Sequence, residues 1–488
     1  MHYDVIIVGG GISGCSIAYS LSQYQLKVAL FEKENDVAMK TTKANSGIVH
    51  AGYDPKPGTK MARLNVRGSA IIHDLAPKLG FRYNQIGSVV VGQSEEEHRV
   101  INELYRRGIA NGVPELKILK TQQEVHAVEP YLAPEIDYAL YAPTAAICSP
   151  WELCLALAYN AKVNGVDFYF NQEVKAIRKE ENGYRIVTNQ AEVEAEAVIN
   201  AAGVFADHVY ELALGKDKDK SFHIVPCKGE YYLLDKEEGH LTNTVVFQCP
   251  TKAGKGVLVS RTVHGNLIVG PNADFQDNLD AKEDVSTTSN ALRFIREMGR
   301  RSIPSVDFGT NIRNFSGVRA TLGDYGDFWI EESPYLPKFY NFAGIKSPGL
   351  SSAPAFGEEA VKLLTASGFK LAKKEQIETY ALPKSFRDMT LEEQEAALKK
   401  DRRYGQIICR CETVPEAEII AAMHAPIPGT TIDGIKRRCN AGMGRCQGGF
   451  CGPKIFHLLM EELHLSPLEV YQDREGSSVV IGKTKEGK

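Results

Sequence analysis

The run Gly9-Gly10-Gly11-Ile12-Ser13-Gly14 stands directly between a buried-strand run, Tyr3 to Val8, and a helix-like stretch, Ile12 to Gln23. A second strand run, Lys27 to Phe31, follows at once. A chain that begins this way is committed to a βαβ opening. Glycine at the three positions Gly9, Gly11 and Gly14 permits the tight turn, lets the backbone approach a pyrophosphate and lets the helix pack close to the strand. The helix N-terminus then presents oriented N–H groups to the anion. Glu32 ends the second strand about twenty residues on, where a carboxylate can accept from a ribose hydroxyl. The pattern points to a bound dinucleotide; the competing reading is a glycine-rich turn without a ligand.

At 488 residues the chain exceeds one simple core, and domains of roughly 100 to 200 residues suggest two to four units. A hydrophobic share of 43% with 24% charged residues is that of a globular protein. The formal net charge of -4 offers no basic footprint for nucleic acid. The N-terminus lacks the basic flank and cleavage site of a secretion signal, and no stretch approaches the roughly 20 apolar residues that span a bilayer. The expected location is the cytoplasm, with at most peripheral contact at the inner face of a membrane. Of the ten cysteines, Cys409, Cys411, Cys439, Cys446 and Cys451 lie together, which reads as a metal site rather than a disulfide framework.

Strand signals such as Gly229 to Leu234 and Gly256 to Ser260 enrich residues 81–144 and 221–321, a sheet-based substrate domain inserted into a Rossmann-like domain of residues 1–80, 145–220 and 322–366. The fold expected is thus α/β with an inserted antiparallel-sheet (α+β) domain. Residues 367–404, rich in Lys, Glu and Asp, read as a solvated helical connector. A small helical domain is expected over residues 405–462, before a C-terminal tail, residues 463–488, that looks frayed from Asp473 on. Ser149-Pro150-Trp151-Glu152 has a serine cap, a proline at the first turn and a glutamate three on, a structural helix start without assigned chemistry.

Two further segments favour FAD over a nicotinamide dinucleotide. Val198 to Gly203 is a buried strand running into glycine, and Gly344-Ile345-Lys346-Ser347-Pro348-Gly349-Leu350 precedes a late helix. Backbone approaches so far apart in sequence suit a long ligand lying across several strand ends. With the N-terminal fingerprint, Asn45 to Gly52, Lys228-Gly229-Glu230-Tyr231-Tyr232 and Ser316-Gly317-Val318-Arg319, they make the chain from Met1 to Leu364 resemble the D-amino-acid-oxidase-like flavoprotein superfamily. Within it, the nearest likenesses are L-2-hydroxyglutarate dehydrogenases and the FAD subunit of anaerobic glycerol-3-phosphate dehydrogenase. The resemblance implies that Ser46 and Gly47 sit beside the flavin ring. It also implies that Gly349 and Leu350 flank the ring at a helix N-terminus, whose positive end can stabilise an anionic reduced flavin.

Cys409-Arg410-Cys411 and Cys446-Gln447-Gly448-Gly449-Phe450-Cys451 offer four thiolates in two close pairs, and each iron of a 2Fe-2S cluster needs two terminal ligands. Glycines at 442, 444, 448, 449 and 452 let backbone N–H groups approach the sulfurs. Four thiolates also satisfy zinc, though zinc sites more usually separate paired cysteines by two or more residues, and ligand-free thiols are the third reading. Residues 405 to 462 resemble the bacterioferritin-associated-ferredoxin type of 2Fe-2S domain. Cys439, without a close partner, is expected to pack rather than ligate, and Cys15, Cys148, Cys154, Cys227 and Cys249 to be buried thiols.

A flavin takes up two electrons and a 2Fe-2S centre passes one at a time, so both in one chain imply a relay to a redox partner protein or quinone-linked acceptor. Arg319, in the stretch resembling the superfamily's Gly-x-Arg, is the candidate anchor for a small anionic substrate, with a surface ion pair as the alternative. His50 is the candidate base, since imidazole suits proton removal near neutrality, with a purely hydrogen-bonding role as the alternative; His264 ranks second. The arrangement of domains favours sn-glycerol 3-phosphate, oxidised to dihydroxyacetone phosphate. L-2-hydroxyglutarate, another 2-hydroxy acid or an amino acid, and a non-catalytic electron carrier or redox sensor, remain alternatives.

Overall fold

The strand His2–Val8 lies at the heart of an eight-stranded sheet, paired in parallel with Val28–Phe31 on one side and Glu192–Asn200 on the other. The computed structural model describes residues 1–250, 256–276, 278–323, 325–482 and 484–485. Two compact units emerge, the first comprising residues 1–33 and 37–378, the second residues 34–36 and 379–488.

In the first unit the opening strand buries Val5, Ile6 and Ile7 completely, as expected of a strand covered on both faces. The parallel sheet continues through Asp167–Tyr169 beyond Val28–Phe31 and through Phe339–Ala343 beyond Glu192–Asn200. A hairpin, Val174–Glu180 and Gly183–Thr188, extends it antiparallel. Helices Ile12–Leu21, Pro150–Val163 and Gly349–Ala366 pack together. Ser149 caps the second of these by accepting from the N–H of Glu152. The Glu152 carboxylate does not reach back to complete a capping box; it binds Arg82, at 2.6 Å.

A second sheet of nine strands draws all its members from residues 88–142 and 225–321. Its longest pairing joins Val225–Leu234 antiparallel to Asn311–Thr321 and sets Cys227 opposite Arg319 and Gly229 opposite Gly317. Val245–Gln248 runs parallel to Ser88–Gly92, so the sheet is mixed where the sequence suggested a purely antiparallel one. The pairing is parallel because a crossover, not a hairpin, joins these two strands.

The second unit is built on helices Glu416–Met423, Ile432–Cys439 and Gly452–Leu463 around Ile419, Ile435, Ile455 and Leu459. It starts earlier than the sequence suggested. Phe386 is buried and packs on Tyr404, with ring centroids 5.7 Å apart, while Arg387 binds Glu412 at 2.6 Å. The charged stretch is therefore part of this unit, and within it the α-helix is confined to Leu391–Lys400. Nor does the tail fray at Asp473: Val470 is fully buried, and Asp473 accepts from Arg437 at 2.8 Å. Asp36, also of this unit, is buried and gripped by Arg437 and Arg438 at 2.7 to 3.0 Å. Burial opposes its ionisation, but the two guanidiniums outweigh that and hold the carboxyl below its usual range.

Among the described residues, no helix is long and apolar enough to cross a membrane.

Candidate cofactor cavity and thiolate centre

A cavity of about 1200 Å³ opens at the C-terminal ends of the parallel strands, where open α/β sheets bind their ligands. Gly9, Gly11, Glu32, Ser46, Gly203, Gly349 and Leu350 line it, and so do His50 and Arg319. The turn is tight because it must be. Gly9 has φ +111°, and a Cβ there would stand 2.6 Å from the carbonyl oxygen of Ala201. A Cβ on Gly14 would lie 1.9 Å from the carbonyl oxygen of Gly9, so this glycine packs helix on strand and does not itself reach the cavity wall. Glu32 turns back to the same loop and accepts from the N–H of Gly10 at 2.6 Å. At the helix start, Thr42 accepts from the N–H of Ile12 at 3.0 Å, a partner that no spacing rule had suggested.

Gly47 and Gly344 likewise lie off the wall. Gly47 passes beneath the carbonyl oxygen of Cys148, 2.5 Å from where a Cβ would sit, and so delivers Ser46 to the cavity. Gly344 makes a left-handed turn, φ +67°, that sends Ile345 to Leu350 along the wall.

His50 is held from several directions. Its N–H donates to Ser351 Oγ at 2.8 Å, its carbonyl accepts from Asn65 Nδ2 at 2.7 Å, and its ring stacks on Phe247 with centroids 5.6 Å apart. Nε2 lies 3.3 Å from Ser347 Oγ. His264, the second choice, is off the wall; it stacks on Trp151 at 5.5 Å, packing two apolar faces against each other.

Arg319 crosses from its own strand over Gly229 on the neighbour, where a Cβ would come within 3.0 Å of Nη2. Nη2 donates to the carbonyl of Asn272 at 2.8 Å, and Nε to that of Cys227 at 3.3 Å. Such contacts fix the guanidinium plane. Lys346 lines the cavity as a second cation. Both reach Cys227, whose thiol is nonetheless raised because burial outweighs them. Tyr231 on the same wall is pushed up to about 12 by burial, which keeps its hydroxyl protonated. Lys346 and Tyr231 were not singled out from the sequence, although both lie inside the segments that carried the resemblance.

In the second unit the four expected cysteines come together, but not as their spacing suggests. Cys411 pairs with Cys446, Sγ to Sγ 3.8 Å, and Cys409 with Cys451. Two thiolates on one tetrahedral metal with bonds of about 2.3 Å stand roughly 3.8 Å apart. Among the described residues no three His, Cys, Asp or Glu side chains converge on a single ion position. Donors arranged two and two fit a binuclear centre. The Cys409 thiol is lowered to about 6, chiefly by its hydrogen bond with Cys451 and further by the N–H groups of Gly442 and Glu412, while Cys451 is raised in return. Gly448 N–H points at Cys446. A Cβ on Gly444 would stand 2.3 Å from Cys411 Cβ, so glycine admits that close approach. Cys439 is buried and donates to the carbonyl of Ile435, and Cys15, Cys148, Cys154, Cys227 and Cys249 are buried and in no disulfide.

Comparison with known proteins agrees with both cofactors. Residues 4–363 match the family described as FAD dependent oxidoreductase, and residues 407–461 match the BFD-like [2Fe-2S] binding domain. The chain is 46% identical over 485 residues to a protein named glycerol 3-phosphate dehydrogenase from Caloramator mitchellensis, covering 99% of each. It is 33% identical over 328 residues to an L-2-hydroxyglutarate dehydrogenase of Escherichia coli, covering 66% of this chain and 72% of that one. Among solved structures it resembles FAD-bound, dithionite-reduced L-alpha-glycerophosphate oxidase from Mycoplasma pneumoniae, with TM-score 0.74 and 35% identity, over 79% of this chain and all of that one.

Proposed function

From the premise that this chain belongs to the FAD dependent oxidoreductase family and carries a BFD-like [2Fe-2S] binding domain, we propose that it oxidises sn-glycerol 3-phosphate to dihydroxyacetone phosphate. The observation that carries the substrate is the full-length likeness to the Caloramator glycerol 3-phosphate dehydrogenase, which spans both domains. The cavity supports it. A phosphate monoester carries nearly two negative charges near neutrality, and Arg319 and Lys346 supply two cations on one wall.

Oxidation of the carbinol removes a hydride from carbon and a proton from oxygen, and FAD, when bound, would supply the hydride acceptor. His50 takes that proton at Nε2, the nitrogen beside the Ser347 hydroxyl. Phe247 stacks on the imidazole while Ser351 and Asn65 anchor the backbone that carries it, so the base is positioned before substrate arrives. Arg319 grips the phosphate while Gly9, Gly11, Glu32, Ser46, Gly203, Gly349 and Leu350 form the cofactor's bed. Cys409, Cys411, Cys446 and Cys451 would hold the cluster. The six other cysteines, none of them in a disulfide, favour a reducing, cytoplasmic setting, with any membrane contact peripheral.

The 33% identity to L-2-hydroxyglutarate dehydrogenase sustains the second reading. An anaerobic substrate panel separates the two. Glycerol 3-phosphate should bleach the bound flavin within one turnover, and L-2-hydroxyglutarate should not; bleaching by the hydroxy acid alone, or by no member of the panel, refutes the assignment.

A further inference from the structure

We propose that the solvent-facing edge of the thiolate centre is a docking surface for an acidic one-electron carrier protein. This rests on the oxidative function proposed above and names the acceptor that such a function requires. Cys411 and Cys446, which pair with each other, are exposed, whereas Cys409 and Cys451 are buried. The centre therefore has one outward edge, formed by a single pair of ligands.

The residues around that edge share one character. Phe450 lies in the loop between Cys446 and Cys451 and is 48% exposed. The Arg410 guanidinium stands 4.9 Å from the ring centroid and the Lys454 ammonium 5.1 Å, so two cations flank one exposed ring. Arg445, next to Cys446, is exposed as well. The only carboxylate within the two cysteine-bearing loops, Glu412, is buried and bound to Arg387. The edge is thus positive in a chain whose net charge is -4. Lys454 does not serve its own helix, since it occupies the first turn of Gly452–Leu463, where the macrodipole disfavours a cation.

Arginine and exposed aromatic rings are enriched at protein interfaces, and complementary charge steers encounter more than it tightens binding. That suits the stoichiometry. Each alcohol oxidised to a ketone releases two electrons and two protons, so two oxidised carriers must each dock, take one electron and leave per turnover. A small, charge-steered patch with one central aromatic ring favours such brief complexes.

The test uses the full-length holoprotein, oxidised and free of substrate, and an oxidised plant-type ferredoxin as the acidic probe. A basic c-type cytochrome is the control. The affinity of the holoprotein for ferredoxin, read by calorimetry, should fall about tenfold or more between low and moderate salt, as a contact between complementary charges does. Binding of ferredoxin to the oxidised holoprotein, read by calorimetry, should weaken about tenfold in Arg410→Glu/Lys454→Glu and several-fold in Phe450→Ala, with the cluster's absorbance unchanged. Lys454→Glu alone, outside the ligand loops, serves if the double variant loses its cluster. Indifference to salt and charge reversal, or preference for the cytochrome, overturns the proposal. So does a shifted cluster potential with unchanged ferredoxin binding, since the cations would then only balance the centre's own charge. Because glycerol 3-phosphate is absent throughout, failure here leaves the substrate assignment standing.

Discussion

Replacing Arg319 with methionine removes the guanidinium but keeps an unbranched stem of similar reach, and the structure separates what the variant loses in stability from what it loses in binding. On the protein side, only the bond from Nη2 to Asn272, at 2.8 Å, has good geometry; those to Cys227 and Lys228 are 3.3 and 3.4 Å. Their joint loss costs about 1 kcal/mol, which shifts the melting temperature by a few degrees at most. On the substrate side, a two-point, charge-assisted grip on phosphate is worth about 3 to 4 kcal/mol, or roughly 100- to 1000-fold in kcat/KM. Most of it should appear in KM, because the phosphate is remote from the reacting carbon and is held equally in ground and transition states. The assay is anaerobic flavin bleaching against glycerol 3-phosphate concentration, with flavin absorbance per chain as the folding control. Arg319→Lys should recover part of the loss, since it restores charge without the planar fork. A KM within threefold of wild type, at full flavin content, would refute Arg319 as the anchor.

Gly14→Ala places a Cβ where the Gly9 carbonyl oxygen already stands 1.9 Å away, so helix and strand must separate and the purified protein should be pale; full flavin absorbance would contradict the turn as the cofactor's cradle. Cys446→Ser should abolish the cluster's absorbance and electron delivery to acceptors, yet leave single-turnover flavin reduction by substrate intact; loss of both would mean that the two sites are not separable. Glu129 is a buried carboxyl pushed up to about 7, chiefly by burial, although the N–H groups of Thr244 and Asn243 pull the other way. Its folded value exceeds the ordinary 4.5, so its contribution is full below that value and lost as pH rises through 7. Wild type should lose about 3 kcal/mol of stability between pH 5 and 8 that Glu129→Gln does not, and parallel melting curves for the two would discard the assignment.

The residues legible in sequence are those whose role is local. A turn of three glycines between two apolar runs can be read because the strand, the turn and the first helical N–H groups are neighbours in the chain, and Glu32 follows because the second strand has a fixed rise. The cysteines could be counted and grouped, but their partnering could not. Cys409 and Cys411 each meet a sulfur of the distant loop instead of one another. The charged stretch after Glu378 misled because composition speaks to its many solvated residues and is silent on Phe386, one buried ring that ties it to the second unit. Gly229 is the most instructive case. Nothing in Lys228-Gly229-Glu230 explains a glycine within a strand until register sets Cys227 against Arg319 and the guanidinium is seen to lie across the missing Cβ. The anchor and the space it occupies are thus encoded on different strands, about ninety residues apart, and only their pairing joins them.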